Sequence, residues 1–185
     1  MSSPKDQALL FFSKQDMELI KAIFGRLIPG DEEDPGAVEA EAHIYLDRAL
    51  AGFYQDKKVT YRRGLAALNA YSRLKHQEDF TNLDSEQQDG ILTDMDEGRA
   101  KGFESPGGQE FFQLLFLHVR EGTFCDPAYH GNRDLLGWKM IGFDGAQVSH
   151  FEEHMEIGAD QSERTPILTL ADMQKFNFPT PENGY

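Results

Sequence analysis

The run FFQLLFLHVREGTFCDPAYHGNRDLLGWKMIGF, Phe111 to Phe143, decides how the chain is organised. Its first third, FFQLLFLHV (Phe111 to Val119), is apolar on nearly every side of a helix, and a helix without a polar face belongs in the centre of a bundle. His118, near the end of that segment, reads as a histidine at the core edge. The character then changes. Gly122, Gly131, Gly137 and Gly142, one proline, the only cysteine and the only tryptophan follow in one run, which describes a shaped loop. Asp126-Pro127 has the form of an N-cap followed by proline at the first helical position, so a single turn starts there. Gly131-Asn132 would end it, since both residues tolerate the left-handed conformation. Leu135, Leu136, Trp138, Met140, Ile141 and Phe143 then offer more apolar surface than a loop needs; Trp138 alone buries roughly 150–250 Å² when covered. Such a segment folds back as a lid over its own core or presents its aromatic residues to another protein.

Working outward toward the N-terminus, helical spacing recurs. Ser13-Lys14-Gln15-Asp16 resembles a capping box with an acid at the third position, and Met17, Ile20, Phe24, Leu27 and Ile28 repeat at helical intervals until Pro29-Gly30. An acidic loop, Asp31 to Asp34, precedes Asp34-Pro35, a second cap-plus-proline start. Val38, Ala42, Tyr45, Leu46, Ala49 and Phe53 form the apolar stripe expected of helix two. A third helix is expected from Val59 to His76, with Tyr61, Leu65, Leu68 and Tyr71 inward. A fourth opens at Leu83-Asp84-Ser85-Glu86-Gln87, with Ile91, Leu92 and Met95 on its core face before Gly98. The fifth, central helix starts at Ser105-Pro106 or the glycines after it. The fold class is therefore all-α: an irregular bundle of about five to six helices, a long glycine-rich loop and an extended C-terminal tail. Residues 1–12 read as an N-terminal extension, 13–145 as the helical domain and 146–185 as the tail, in which Thr169 to Phe176 is a short turn of helix. Such aromatic-punctuated tails wrap either their own domain or a partner.

Composition narrows the function. A chain of 185 residues with 39 % hydrophobic and 11 % aromatic content is long enough for a real core. A formal charge of −14 and a pI near 4.7 argue against nucleic acid and anionic lipid, which need clustered Lys and Arg. A lone cysteine, Cys125, makes no internal disulfide, no all-cysteine iron–sulfur site and no c-type haem attachment; it reads as a small loop residue. No stretch approaches the roughly 20 apolar residues of a membrane span, so direct membrane insertion is not expected. No GxGxxG follows a strand pattern, so no cofactor is expected on this chain.

The run EGTFCDPAYHGNRDLLGWKMIGFDG (Glu121 to Gly145), with Leu27-Ile28-Pro29-Gly30-Asp31 and Pro35-Gly36-Ala37, resembles the gluconate 2-dehydrogenase subunit 3 family. The resemblance covers roughly Phe12 to Gly145. It implies the small, non-catalytic subunit of a bacterial, membrane-associated sugar, glucoside or polyol dehydrogenase. The catalytic partner would be a flavoprotein of the glucose–methanol–choline (GMC) type carrying FAD, with electrons passing to a cytochrome partner that holds haem c. The small subunit would assist folding, stability and export of the catalytic one. Some members carry a twin-arginine export signal; none is visible here, and the expectation is a periplasmic protein co-exported with its partner, with a cytoplasmic location as the alternative. The residues expected at the partner interface are Phe124, Tyr129, His130, Asn132, Arg133, Trp138 and Lys139, by aromatic anchoring and by bidentate pairing from Arg133.

Self-sufficient chemistry has thin support. Acids at Asp31 to Asp34 lack the alternation and glycine of an EF-hand and suit the positive end of a helix. His150-Phe151-Glu152-Glu153-His154 fits HxxEH, in which two histidines four apart share a helix face and a glutamate serves as base. A stand-alone metal-dependent hydrolase is thus one alternative, and a helical binding module unrelated to dehydrogenases is another. No catalytic residues and no metal ligands are assigned.

Overall fold

The computed structural model describes residues 8–31, 34–146, 156–158 and 167–175. Seven α-helices occur among them: α1 Lys14–Leu27, α2 Ala42–Ala51, α3 Lys58–His76, α4 Ser85–Asp96, α5 Gly108–Phe124, α6 Leu136–Ile141 and α7 Leu170–Lys175. The all-α expectation is met: the short tail helix expected from Thr169 to Phe176 is α7, and the helix not expected is α6, inside the glycine-rich loop.

Local chemistry sets the boundaries. Ser13 caps α1, its hydroxyl accepting from the Asp16 amide while the Asp16 carboxylate receives the Ser13 amide in return. Asp84 and Gln87 form the same reciprocal box at α4. Helix two differs from expectation. Residues 37–41 form successive turns, with the Ala37 amide on the Ile28 carbonyl and the Ala42 amide on the Ala37 carbonyl. Glu41 then takes a left-handed φ of 56°, so the helix begins at Ala42 and not at Asp34-Pro35. It ends at Ala51, which leaves Phe53 beyond its stripe.

The central position of α5 is confirmed: it packs on α1, α2, α3 and α4. Phe111, Leu115 and Val119 are buried with Ile20, Ile23 and Phe24 of α1, Leu46 and Leu50 of α2, Tyr61, Leu65 and Leu68 of α3, and Ile91 and Met95 of α4. Each such side chain contributes roughly 1.5–3 kcal/mol by leaving water.

Two acids tie the periphery to this core. Asp47 of α2, fully buried, accepts the backbone amides of Leu10, Phe11 and Phe12 at 2.7–3.0 Å, and Arg48 donates to the Ala8 carbonyl. Residues 8–12 are thereby fastened over α2. Asp94 of α4 accepts from Tyr71 and from Lys75 of α3, and from Arg99 past the end of α4. Burial opposes its charge, but these three donors hold its carboxyl below the usual carboxylate range. Among the described residues no helix is long and apolar enough to cross a membrane.

Candidate functional site

The loop after α5 folds back onto its own chain. At its centre is Asn132, buried, with φ 47°. Its side-chain amide donates to the Cys125 carbonyl at 2.9 Å, its carbonyl oxygen accepts the Gly137 and Trp138 amides, and its own backbone N–H reaches the Gly122 carbonyl. Trp138 is 5 % exposed and donates its indole N–H to the Phe124 carbonyl at 2.7 Å. Gly131 and Gly137 permit this closeness: a Cβ on Gly131 would stand 2.2 Å from the Gly122 carbonyl oxygen, and one on Gly137 2.0 Å from that of Thr123. Gly131 thus serves approach and not the left-handed turn expected of it; His130, φ 68°, and Asn132 supply the turn. Asp134 and Leu135 are also left-handed, at 53° and 61°. A side chain in that region costs roughly 1–2 kcal/mol, which the packing of this loop must offset.

Beside this loop lies a groove of about 950 Å³. One wall is the C-terminal end of α5 with the turn beyond it: Glu121, Phe124, Cys125, Tyr129 and His130. The other is the C-terminal half of α2 and the turn after it, Tyr45, Ala49, Phe53 and Tyr54, with Leu10 of the fastened N-terminal arm at its edge. Phe53 is 85 % exposed and Tyr129 56 % exposed, so the groove presents two large apolar rings to water. The 3-10 turn Pro127–Tyr129 that carries Tyr129 is capped as the sequence predicts, Asp126 accepting the Ala128 amide at 2.9 Å.

The floor is polar. Glu121 accepts the phenol of Tyr45 at 3.0 Å and that of Tyr54 at 3.1 and 3.2 Å, one to each oxygen. Behind it the Tyr54 ring lies 4.5 Å from that of His118, and His118 Nδ1 is hydrogen-bonded to the Tyr61 hydroxyl at 2.7 Å. Burial, then the bond to Glu121, pushes the Tyr45 and Tyr54 phenols up, so both remain donors at neutral pH. Burial lowers His118 below its ordinary value despite the pull of Glu121. Burial likewise pushes the Cys125 thiol up to about 11, the opposite of a thiolate nucleophile.

The seven expected interface residues do not share one face. Phe124, Tyr129 and His130 come together in the groove. Lys139 is exposed on α6, away from that lining. Asn132 and Trp138 are buried and offer no surface, because the loop's own backbone amides and carbonyls consume their polar atoms. The Arg133 guanidinium pairs within the chain, with Glu41 at 2.8 Å and Asp134 at 3.4 Å, instead of standing ready for a bidentate partner. Sequence reasoning missed Tyr45, Phe53, Tyr54 and Glu121. Phe53 fits the helix-two stripe, and only Gly52 before it signals that the helix has ended.

Among the described residues no three His, Cys, Asp or Glu gather as metal ligands. The HxxEH segment, 150–154, and the acids Glu32 and Glu33 lie outside the described residues. Of the tail, residues 167–175 return to the loop: the Ala146 amide bonds the Leu168 carbonyl, and the Leu170 amide at the start of α7 donates to Asp126 at 2.8 Å.

Neither a curated protein nor a solved structure matches the chain. The sequence model of the family described as Gluconate 2-dehydrogenase subunit 3 matches residues 14–145, from the first residue of α1 through the loop that walls the groove. The chain therefore belongs to the gluconate 2-dehydrogenase subunit 3 family, whose members are subunits of a dehydrogenase complex.

Proposed function

We propose that this chain is the non-catalytic small subunit of a flavin-dependent, GMC-type sugar or polyol dehydrogenase, and that it grips the catalytic subunit through the groove between α2 and α5. One observation carries the proposal. The stretch Glu121 to Gly145, inside the family-matched region, folds back on itself through Asn132 and Trp138 and carries exposed Tyr129 into the same groove of about 950 Å³ that exposed Phe53 lines. Large rings standing in water around a concave lining are what interface anchors look like before their partner covers them.

FAD and the redox chemistry belong, in this account, to the catalytic partner, and haem c to a cytochrome beyond it. The small subunit contributes folding, stability and export of that partner, and travels to the periplasm with it. Co-expression tests the role: the catalytic flavoprotein produced with this chain is soluble, FAD-loaded and active, and produced alone it aggregates or lacks activity. Equal yield and activity in both cases would remove the proposal.

A further inference from the structure

Glu121 differs from three acids that fasten other elements to the bundle. Asp47 is met by three amides and Arg48, Asp89 by the Arg26 guanidinium, and Asp94 by Lys75 and Arg99. Glu121 is met by the two phenols, and among the described residues no cation pairs with it. A carboxylate offers about four lone-pair sites, so two tyrosines orient it without filling it. Neutral donors also leave its charge uncompensated in a half-buried, aromatic setting.

The arginines of the lining do not supply the missing charge. Arg48 is turned to Asp47 and the Ala8 carbonyl. Arg120 donates its Nε to the Phe116 carbonyl and stacks its guanidinium 4.6 Å from the Phe116 ring centroid. The groove that Glu121 lines is also lined by the rings of Tyr45, Phe53, Tyr54, Phe124 and Tyr129. Aromatic faces attract a cation, and a planar guanidinium both stacks on rings and pairs in two places with a carboxylate. The whole chain, at −14, draws cationic surfaces toward it.

We infer that the groove receives an arginine side chain carried on an apolar segment of the catalytic subunit, its guanidinium on Glu121 and its flanking apolar residues against Phe53 and Tyr129. The inference rests on the accessory-subunit reading for the source of that segment, and its chemistry is testable without the partner. The full chain, isotopically labelled, is titrated with acetyl-Leu-Arg-Phe amide and with the same peptide bearing Lys or Glu in the middle. The arginine peptide should shift the Tyr54, Glu121 and Phe124 amide signals saturably at millimolar concentration, the lysine peptide bind more weakly, and the glutamate peptide not bind. Glu121→Gln keeps an acceptor for the phenols and should weaken the arginine peptide by about tenfold with an unchanged circular dichroism spectrum. Phe53→Ser, on an exposed side chain that folding does not need, should weaken it as well. Equal binding of the arginine and glutamate peptides, no saturable binding by the arginine peptide, or indifference to both substitutions would overturn the inference. A dehydrogenase that assembles normally with the Glu121→Gln chain would overturn it too while leaving the accessory role standing; a dehydrogenase indifferent to the whole chain would remove that role and not the pocket's preference for arginine.

Discussion

Asp47 and Glu121 sit on the two helices that flank the groove, and their surroundings are opposite. Asp47 is engaged on both oxygens by its own chain and is out of water; Glu121 has phenols, a half-exposed face and, among the described residues, no cation. The first acid holds the N-terminal arm onto α2 and so belongs to the fold. The second is oriented and left incomplete, which is how a protein keeps an acid for something outside itself. Removing a fold acid should destabilise the chain, whereas removing a site acid should leave its stability nearly unchanged and weaken binding.

The largest effect expected from this contrast is at Asp47. Asp47→Ala orphans three amides and removes the acid beside Arg48, and breaking such a pair costs about 3–5 kcal/mol, roughly 10 °C in Tm for a chain of this size, by thermal unfolding. Glu121→Gln should cost under about 1 kcal/mol. Should the two substitutions destabilise equally, the distinction between fold acid and site acid disappears.

Next comes the loop that supports the groove wall. Gly137→Ala drives a methyl into the Thr123 carbonyl and should cost about 2–3 kcal/mol, and its signature is a loss of Trp138 shielding, read as a red shift and stronger quenching of tryptophan fluorescence. Wild-type fluorescence in the variant would mean that the loop does not need this close approach.

A third test uses pH. His43, at the start of α2, is buried with no partner for its Nδ1 among the described residues, and burial, with Lys21 nearby, lowers it to about 4. As pH falls through 6.5, the unfolded chain takes up this proton first, so stability declines between about 6.5 and 4 and His43 adds no further loss below that. The lowering corresponds to about 3 kcal/mol. His118, lowered by burial as well, adds to the loss as pH falls below 6.5. The clamping acids Asp89 and Asp94 act lower, their stabilisation fading as pH drops below the ordinary carboxylate value. His43→Leu should flatten the upper part of the profile measured by urea unfolding; an unchanged slope would contradict the burial argument. The smallest effect on the free chain is that of Phe53→Ser, within about 0.5 kcal/mol.

Much of the fold was legible because periodicity and capping are local. The Ser13–Asp16 and Asp84–Gln87 boxes announced α1 and α4, and the apolar Phe111–Val119 run announced the central helix. Helix two was misplaced because Asp34-Pro35 imitates a start, while the left-handed turn at Glu41 that sets the true one has no sequence signature. The site was legible only in part. Tyr129, His130 and Phe124 lie in the one stretch whose composition marks a shaped loop, but Trp138 and Asn132 looked like surface anchors and are interior, since a tryptophan's spelling does not say which side of a loop it faces. Tyr45 and Phe53 read from sequence only as part of an apolar stripe, and Tyr54 carries no signal, because the place of the two tyrosines depends on Glu121, some 70 residues away, and contacts of that range leave no local trace.

The most direct test of the account is the affinity of the catalytic flavoprotein subunit for this chain, measured by biolayer interferometry for wild type and for the double variant Phe53→Ser, Tyr129→Ser, with Tm recorded on the same samples. Loss of two anchoring rings should weaken Kd by about 100-fold or more with Tm unchanged, which would place the docking face on the groove between α2 and α5. An unchanged Kd would put the partner on another face and contradict the central claim.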